Sequence, residues 1–520
     1  MSSVVRRMVI VGLELGDGPA IHAWAQAGHL PAIQALMSQG SWRWLETTAD
    51  RLHISAWPSI YTGSVPGEHG VYYTHQPAPG LQGYQRFHRG LYGRPTFWQL
   101  LDQAGRRCTV FDPPYAHPEE GYKGILVNDW GSWAHYLETG ATPAGTLRGL
   151  NRCCGGGYPL GLEAHHLGFK PLDAQEIAGK LVKAADAKTS AACWLMEQQQ
   201  AELVFVVYGE THVAGHYCWP RNTEPRKAVP GSPLLEVYKA IDRGIARIRA
   251  AAGDDALFMV VSGDGIGDNN AGWHLLPDVL EKLGYLANAG AKPPAQQGAA
   301  GNTEPASKKR FDPVKALRDL LPRNFRKSLA GLLPTSIRDK LAQRVDMAAV
   351  DWSRTRAYCL PTDLEGCIRI NLAGREPMGI VQPGAPYEAL LNEIEGALIE
   401  LRDPLTARPL VSRVLRSDAA FPGPRRPWLP DLVVNWNAHA PIGSVTSGRL
   451  GSTLSRDSPD PRPGTHTAPA FALVVGQGVP AGQTLESGSI FDVAPSAMTW
   501  LGVTPPVHMH GHVWPELKVA

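Results

Sequence analysis

The sequence predicts an α/β protein built on a mainly parallel sheet with helices on both faces. Three observations carry this. Short apolar, β-branched runs alternate with longer helical patterns, the order that produces βαβ units. These runs end in polar or acidic turns, at the edge where open α/β sheets keep their chemistry. A strand and a histidine-bearing loop return late in the chain, so the carboxyl-terminal part is expected to rejoin the first sheet.

Val9 to Leu13 reads as the first strand, closing in Glu14-Leu15-Gly16-Asp17, and a helical pattern runs from Pro19 to Ser38. Ala49 to Gly63 combines a loop with a helix start, where Ser55 is a capping residue type and Pro58 suits a first turn. Pro95 to Ala104 reads as a helix and Cys108 to Phe111 as a strand. The stretch from Pro113 to about Phe169, rich in Gly, Pro and aromatics, is expected to cover one edge of the sheet. Helix returns from Asp173 to Gln199, followed by strand Leu203 to Val207. Ser232 to Ala252 is an amphipathic helix, and Ala256 to Val261 a strand running into Ser262-Gly263-Asp264-Gly265.

The pattern then breaks. Residues 1–286 are read as the amino-terminal part of the core, 287–350 as an insert and 351–520 as the carboxyl-terminal part of the same core. Within the insert, Ala289 to Lys309 has linker composition, and Phe311 to Val345 is basic and amphipathic. That basic face is either solvated or a lid or docking surface for an anionic partner. Beyond it, Cys367 to Asn371, Asp431 to Trp436 and Phe471 to Val475 read as strands, with helices at Tyr387 to Arg402 and Ile490 to Leu501.

Bulk properties exclude several classes. A net charge of +2 over 520 residues gives no global field for gathering phosphates, which argues against dedicated nucleic-acid binding. Seven cysteines without any CxxC suggest reduced thiols in a cytoplasmic protein. The apolar stretch Met8 to Leu13 is too short for a signal core. No window approaches the roughly 20 apolar residues of a membrane span, so no integral membrane segment is expected.

The chemistry is announced by LVFVVYGETHVAGHYCW, Leu203 to Trp219. His212 and His216 are four apart, and on a helical turn that spacing puts both imidazoles on one face, where they can share a metal ion.

The chain resembles the alkaline phosphatase superfamily in its type I phosphodiesterase/nucleotide pyrophosphatase branch. The resemblance is carried by VIVGLELGD, SAWPSIYTGSVPGEHGVY, RPTFWQLLDQAG, ETHVAGH, VVSGDGIG, DWSRTRAY, INLAGREPMGIV, PDLVVNW, GTHTAPAFALVVGQG and SIFDVAPSAMTWLGV, in the family's order and over nearly the whole chain. It implies an alkaline phosphatase-like α/β fold with insertions forming a cap or lid. It also implies two metal ions, usually zinc, between loops at the strand ends, and a Thr or Ser that attacks phosphorus.

Carried over position by position, the family's residues are altered here. Its first-strand Asp falls on Glu14, its nucleophilic Thr/Ser on His53, and its Asp-x-x-x-His on His212 and His216. Its Ser-Asp-His-Gly falls on Ser262-Gly263-Asp264-Gly265, and its late metal His on His466. The expectation is therefore one metal position held by His212, His216 and His466, and a second offered Glu14, Asp264 and His53. Three imidazoles suit Zn2+; the second set accepts Zn2+, Mn2+ or Fe2+. Glu14, His53 and Asp264 are the catalytic candidates, and Ser55 is the nearest hydroxyl.

The expected function is a metal-dependent hydrolase of a small phosphoester, phosphodiester or related anionic ester, acting through metal-bound hydroxide because no hydroxyl stands at position 53. The alternatives are a non-hydrolytic or biosynthetic metal enzyme on the same fold, and an inactive scaffold. Glu210 and Asp17 are candidates for orienting the imidazoles or for solvated turns, and Asn269, Asn270 and His274 for contacting a substrate oxyanion. His508, His510 and His512 read as a surface cluster. Trp57, Trp98 and Cys218 read as core.

Overall fold

The computed structural model describes residues 6–117, 121–131, 139–160, 173–220, 231–289, 349–437 and 439–518. The basic 311–345 segment, nearly all of the linker before it and part of the 113–169 excursion lie outside these residues.

The molecule is organised by one large sheet. From edge to edge its strands are Gln483–Thr484, Ser41–Glu46, Ala470–Val475, Leu257–Ser262, Met8–Leu13, Leu203–Tyr208, Cys108–Phe111, Ile125–Asn128 and Gly140–Thr142, with Gly488–Ser489 also pairing with Ser41–Glu46. The centre is parallel: Met8–Leu13 lies between Leu203–Tyr208 and Leu257–Ser262, in register at Val9 with Val204 and Phe258. Ala470–Val475 enters antiparallel between Leu257–Ser262 and Ser41–Glu46, so the last part of the chain contributes an interior strand. The fold is α/β with a mainly parallel sheet.

Both faces of this sheet are covered, which is why its central strands are apolar throughout rather than alternating. Successive side chains of Met8–Leu13 leave on opposite faces. Val9, Val11 and Leu13 join a core beneath helices Ala174–Gln198 and Pro233–Ala252. Met8 and Ile10 join a second core beneath helices Ala56–Thr62, Phe97–Gln103 and Val493–Trp500. Trp57 and Trp98 are buried in the second core and Cys218 in the first. Among the described residues, no helix is long and apolar enough to cross a membrane.

A smaller antiparallel sheet is built from Ala357–Cys359, Gly366–Ile370, Leu432–Trp436 and Val411–Arg416, in that order. Helix Ala385–Ile399 packs on it through Leu391, Ile394 and Leu398. Its buried charges are fully matched: Arg375 forks onto Asp431 with both contacts at 2.7 Å, and Tyr387 donates to the same carboxylate at 2.7 Å. Burial pushes the Asp431 carboxyl up, but the Arg375 guanidinium outweighs it and holds the group below the usual aspartate range.

Three parts of the described chain differ from the sequence reading: the stretch expected to cover one edge of the sheet supplies two strands of that edge, Ile125–Asn128 and Gly140–Thr142. The pattern expected as one helix from Pro19 to Ser38 is two helices, Gly18–Gln26 and Pro31–Gln39. Gly28 takes a left-handed conformation with φ of 81° between them, and Pro31 starts the second helix where a missing N–H costs nothing. Ser55 does not cap. It ends a 3-10 turn, His53–Ser55, and its hydroxyl lies 2.6 Å from the Leu52 carbonyl and 2.7 Å from the Thr48 hydroxyl.

Candidate metal centre

Three carboxyl-end turns of the large sheet meet at one point. The first follows Met8–Leu13. Leu15 is held in the left-handed region with φ of 57°, a strained state for a branched side chain that persists only where the surroundings enforce it. Here they do: the Leu15 N–H donates to Asp264 Oδ1 at 3.0 Å, and the Gly16 N–H donates to Ser262 Oγ at 3.0 Å. The Ser262 hydroxyl in turn lies 2.7 Å from the Leu13 carbonyl. Ser262 and Asp264 thus clamp the first turn to the turn after Leu257–Ser262, and Glu14 is presented between them.

The second turn follows Leu203–Tyr208, where helix Glu210–Cys218 begins and carries His212 and His216 one turn apart, both buried. The third is the two-stranded antiparallel ribbon of Gly265–Asp268 with Gly464–Thr467, which sets His466 opposite Ile266. It approaches the helix closely, because a Cβ on Gly464 would lie 2.1 Å from the Gly215 carbonyl oxygen. Only glycine fits there.

The three imidazoles converge. Ring centroids are 4.5 Å apart for His212 and His216, 5.0 Å for His212 and His466, and 5.2 Å for His216 and His466. Each Nδ1 faces an acceptor. For His216 it is the Gly464 carbonyl at 2.8 Å, for His466 Asp264 Oδ2 at 2.6 Å, and for His212 Glu14 Oε1 at 3.3 Å. For His216 and His466, Nε2 is therefore the ligand atom on offer, and such outer partners fix tautomer and direction in metal-binding histidines. Burial, followed by the neighbouring His216 and His466, drives His212 well below the usual imidazole range. His216 is driven down by burial and by Arg462, and His466 by burial and by His53. All three are thus neutral, the form that binds metal. Their ligand atoms lie within 4.8 Å of one another, the one such group of three or more His, Cys, Asp or Glu among the described residues. This donor set fits a divalent ion.

The sequence profile described as type I phosphodiesterase/nucleotide pyrophosphatase matches residues 17–345. The chain belongs to this family. It is thereby a phosphodiesterase-like hydrolase. Solved structures with the same fold include phosphonoacetate hydrolase from Sinorhizobium meliloti 1021 in complex with phosphonoformate, at 14% identity, a TM-score of 0.52, and 95% of each chain covered. Another is murine ectonucleotide pyrophosphatase/phosphodiesterase 5, in an inactive form in complex with AMP, at 11% identity, a TM-score of 0.52, and 98% of this chain and 97% of that one covered. No curated protein sequence matches the chain.

His53, expected from the sequence at the position of the family's attacking hydroxyl, is surrounded by carboxylates. Its backbone N–H donates to Glu365 Oε1 and its Nδ1 to Glu365 Oε2, both at 2.8 Å. Its Nε2 lies 3.3 Å from Asp363 Oδ1. Asp363 also accepts from Arg462 Nη2 at 2.9 Å, and Arg462 forks onto Asp460. Burial lowers the His53 imidazole, but Glu365 and Asp363 together lift it to about 10. Burial raises the Asp363 carboxyl, and His53 and Arg462 pull it well below the aspartate range. His53 is thus a buried cation whose ring centroid lies 4.6 Å from that of His466.

Asp363, Glu365, Asp460 and Arg462 were not singled out in the sequence. The available signals were Asp363-Leu364-Glu365, which sends two carboxylates the same way from an extended segment, and Asp460-Pro461-Arg462. Other candidates have structural uses. Asp17 caps helix Gly18–Gln26 at the Ala20 N–H. Asn269 ties Asp460 to the Gly265–Asp268 strand at 2.9 Å, and His274 Nε2 meets the Arg456 carbonyl at 3.0 Å. Glu210 accepts from the Tyr158 hydroxyl at 2.8 Å and lies 3.8 Å from the buried Lys188, which bonds Asp112 at 2.6 Å. His510 and His512 use their backbone N–H groups to hold Gly63 and Asp492.

A cavity of about 750 Å3 opens beside the centre, with His466 and Glu365 in its wall. Arg413, Asn435, Trp436 and His439 line its outer part.

Proposed function

We propose that the chain hydrolyses a phosphoester, phosphodiester or related small anionic ester with a divalent ion held by His212, His216 and His466. The observation that carries this reading is the convergence of three buried, neutral imidazoles, two of them hydrogen-bonded at Nδ1, beside a cavity large enough for a small ester. When bound, an ion of the Zn2+ type supplies Lewis acidity toward a phosphoryl oxygen and lowers the pKa of water.

The chain's own residues supply direction, charge and shape. Asp264, Glu14 and the Gly464 carbonyl keep the three rings aimed at one point. Position 53 has no hydroxyl, and the Ser55 hydroxyl is turned onto Leu52 and Thr48. The nucleophile is therefore water: its oxygen bonds to phosphorus, the ester oxygen departs as the alcohol, and no covalent enzyme intermediate forms. His53, held by Glu365 and Asp363, packs against His466 and closes that side of the site. In the cavity, Asn435 and Arg413, the latter paired with Asp50, offer donors to an anion, and Trp436 offers an apolar face to the organic group. The seven unpaired cysteines favour a reducing, cytoplasmic setting.

The test is a panel of aryl phosphate monoesters, diesters and phosphonate esters turned over by zinc-loaded protein. Release of aryl alcohol that disappears in His216→Ala supports the reading. Turnover through a phospho-Ser or phospho-Thr that can be trapped and mapped overturns water attack, and a metal-loaded protein inert on the whole panel overturns the activity.

A further inference from the structure

We infer that this chain works with one metal ion, and that the place of the family's second ion is taken by the side chain of His53 locked between Glu365 and Asp363. The inference rests on the reading that His212, His216 and His466 hold the first ion. It departs from the family pattern because the residues left for a second ion are already committed to other partners.

The commitment is visible residue by residue. His53 faces a carboxylate oxygen at each ring nitrogen, Glu365 at Nδ1 and Asp363 at Nε2. Both directions along which the imidazole could coordinate are thus occupied by protein oxygens. Nor is the ring free to turn away, since Glu365 also accepts the His53 backbone N–H, and Asp363 is anchored by Arg462. Asp264 uses Oδ1 to hold the Leu15 N–H and Oδ2 to orient His466. Glu14 faces His212. Asp264 therefore supports one of the first ion's imidazoles through a hydrogen bond, and Glu14 lies beside another, rather than forming a second set with His53. Among the described residues Glu14, Asp264 and His53 make no common cluster of ligand atoms.

Position 263 completes the picture. The family's carboxylate there is a glycine, and a Cβ on it would lie 3.1 Å from Ile60 Cδ1 and 3.3 Å from the Ala56 Cβ. Helix Ala56–Thr62 packs apolar atoms against this position, so a side chain there would have to displace Ile60 and Ala56 by a few tenths of an ångström. What remains is a ring packed against His466, with both nitrogens turned to carboxylates rather than to an ion.

The test counts ions. Full-length protein is stripped with chelator, dialysed and titrated with Zn2+, with the bound metal measured by mass spectrometry and by calorimetry, and with Co2+ absorption as a second probe. One ion per chain is expected in the wild type, with the Co2+ bands saturating after a single equivalent. His53→Gln, checked for folding by circular dichroism, is expected to retain that ion, and His216→Ala to lose it. Two ions in the wild type overturn the inference while leaving the proposed hydrolase standing. Loss of the ion in a folded His53→Gln also overturns it, by making His53 a ligand. A folded wild-type protein that binds no ion removes the three-histidine reading itself, and the inference with it.

Discussion

His466 Nδ1 lies 2.6 Å from Asp264 Oδ2, across a sequence separation of 202 residues. The same aspartate holds the strained turn at Leu15 through its other oxygen, so one side chain fixes both the direction of an imidazole and the backbone that presents Glu14. Asp264→Asn keeps the shape but weakens the acceptor that orients the ring. Zn2+ affinity, measured against a competing chelator, is expected to fall about 10- to 100-fold while the far-ultraviolet spectrum stays unchanged. Wild-type affinity in this variant would refute a supporting role for Asp264.

Metal removal has a thermal signature. An ion that binds only the folded chain stabilises it by RT ln(1 + [L]/Kd), about 2.7 kcal/mol at roughly 100-fold Kd. Chelation should therefore lower Tm in the wild type and leave the Tm of His216→Ala unmoved. Equal shifts in both proteins would place the ion elsewhere.

Lys188 is fully buried against Asp112 and Glu210. Burial lowers its ammonium, but the two carboxylates outweigh this and raise it. Lys188→Met leaves two carboxylates without their cation, and breaking a buried pair from one side costs about 3–5 kcal/mol. Urea unfolding should show a loss of that order. A change below about 1 kcal/mol would mean that the carboxylates relax to water or take up protons at little cost.

Asp431 sets an acid limit on the smaller sheet. Its carboxyl is held below the usual range by Arg375 in the folded state, so the unfolded chain takes up the proton first as pH falls. The stabilisation is complete above about pH 4, the ordinary aspartate value, and is lost as pH drops through the depressed folded value. Asp431→Asn should unfold more readily at pH 7, and its stability should decline less steeply than that of the wild type below pH 4. Parallel acid profiles for the two proteins would contradict this.

The parts of the molecule legible in the sequence are those written in local pattern. The apolar runs Val9 to Leu13, Leu203 to Val207 and Ala256 to Val261 mark the sheet centre because strands covered on both faces are apolar at every position. His212 and His216 announce themselves by spacing alone, whereas His466 needed the family resemblance, since nothing local to Gly464-Thr465-His466 points to residues some 250 positions earlier. The carboxylates around His53 were illegible for the same reason. Glu365 meets His53 across 312 residues, and no short-range periodicity encodes that meeting. The break at Gly28 was readable from Gly and Pro31 but was overridden by the apolar period on either side of it.

The interior position of Ala470–Val475 has a consequence for the order in which a ribosome delivers this protein. When residue 289 has been made, the strands Met8–Leu13, Leu203–Tyr208 and Leu257–Ser262 are all available, yet Leu257–Ser262 still presents an unpaired edge of the kind that recruits other chains. That edge is closed by the same late segment that brings in His466. A nascent chain therefore brings in His466 and closes that edge in a single docking event.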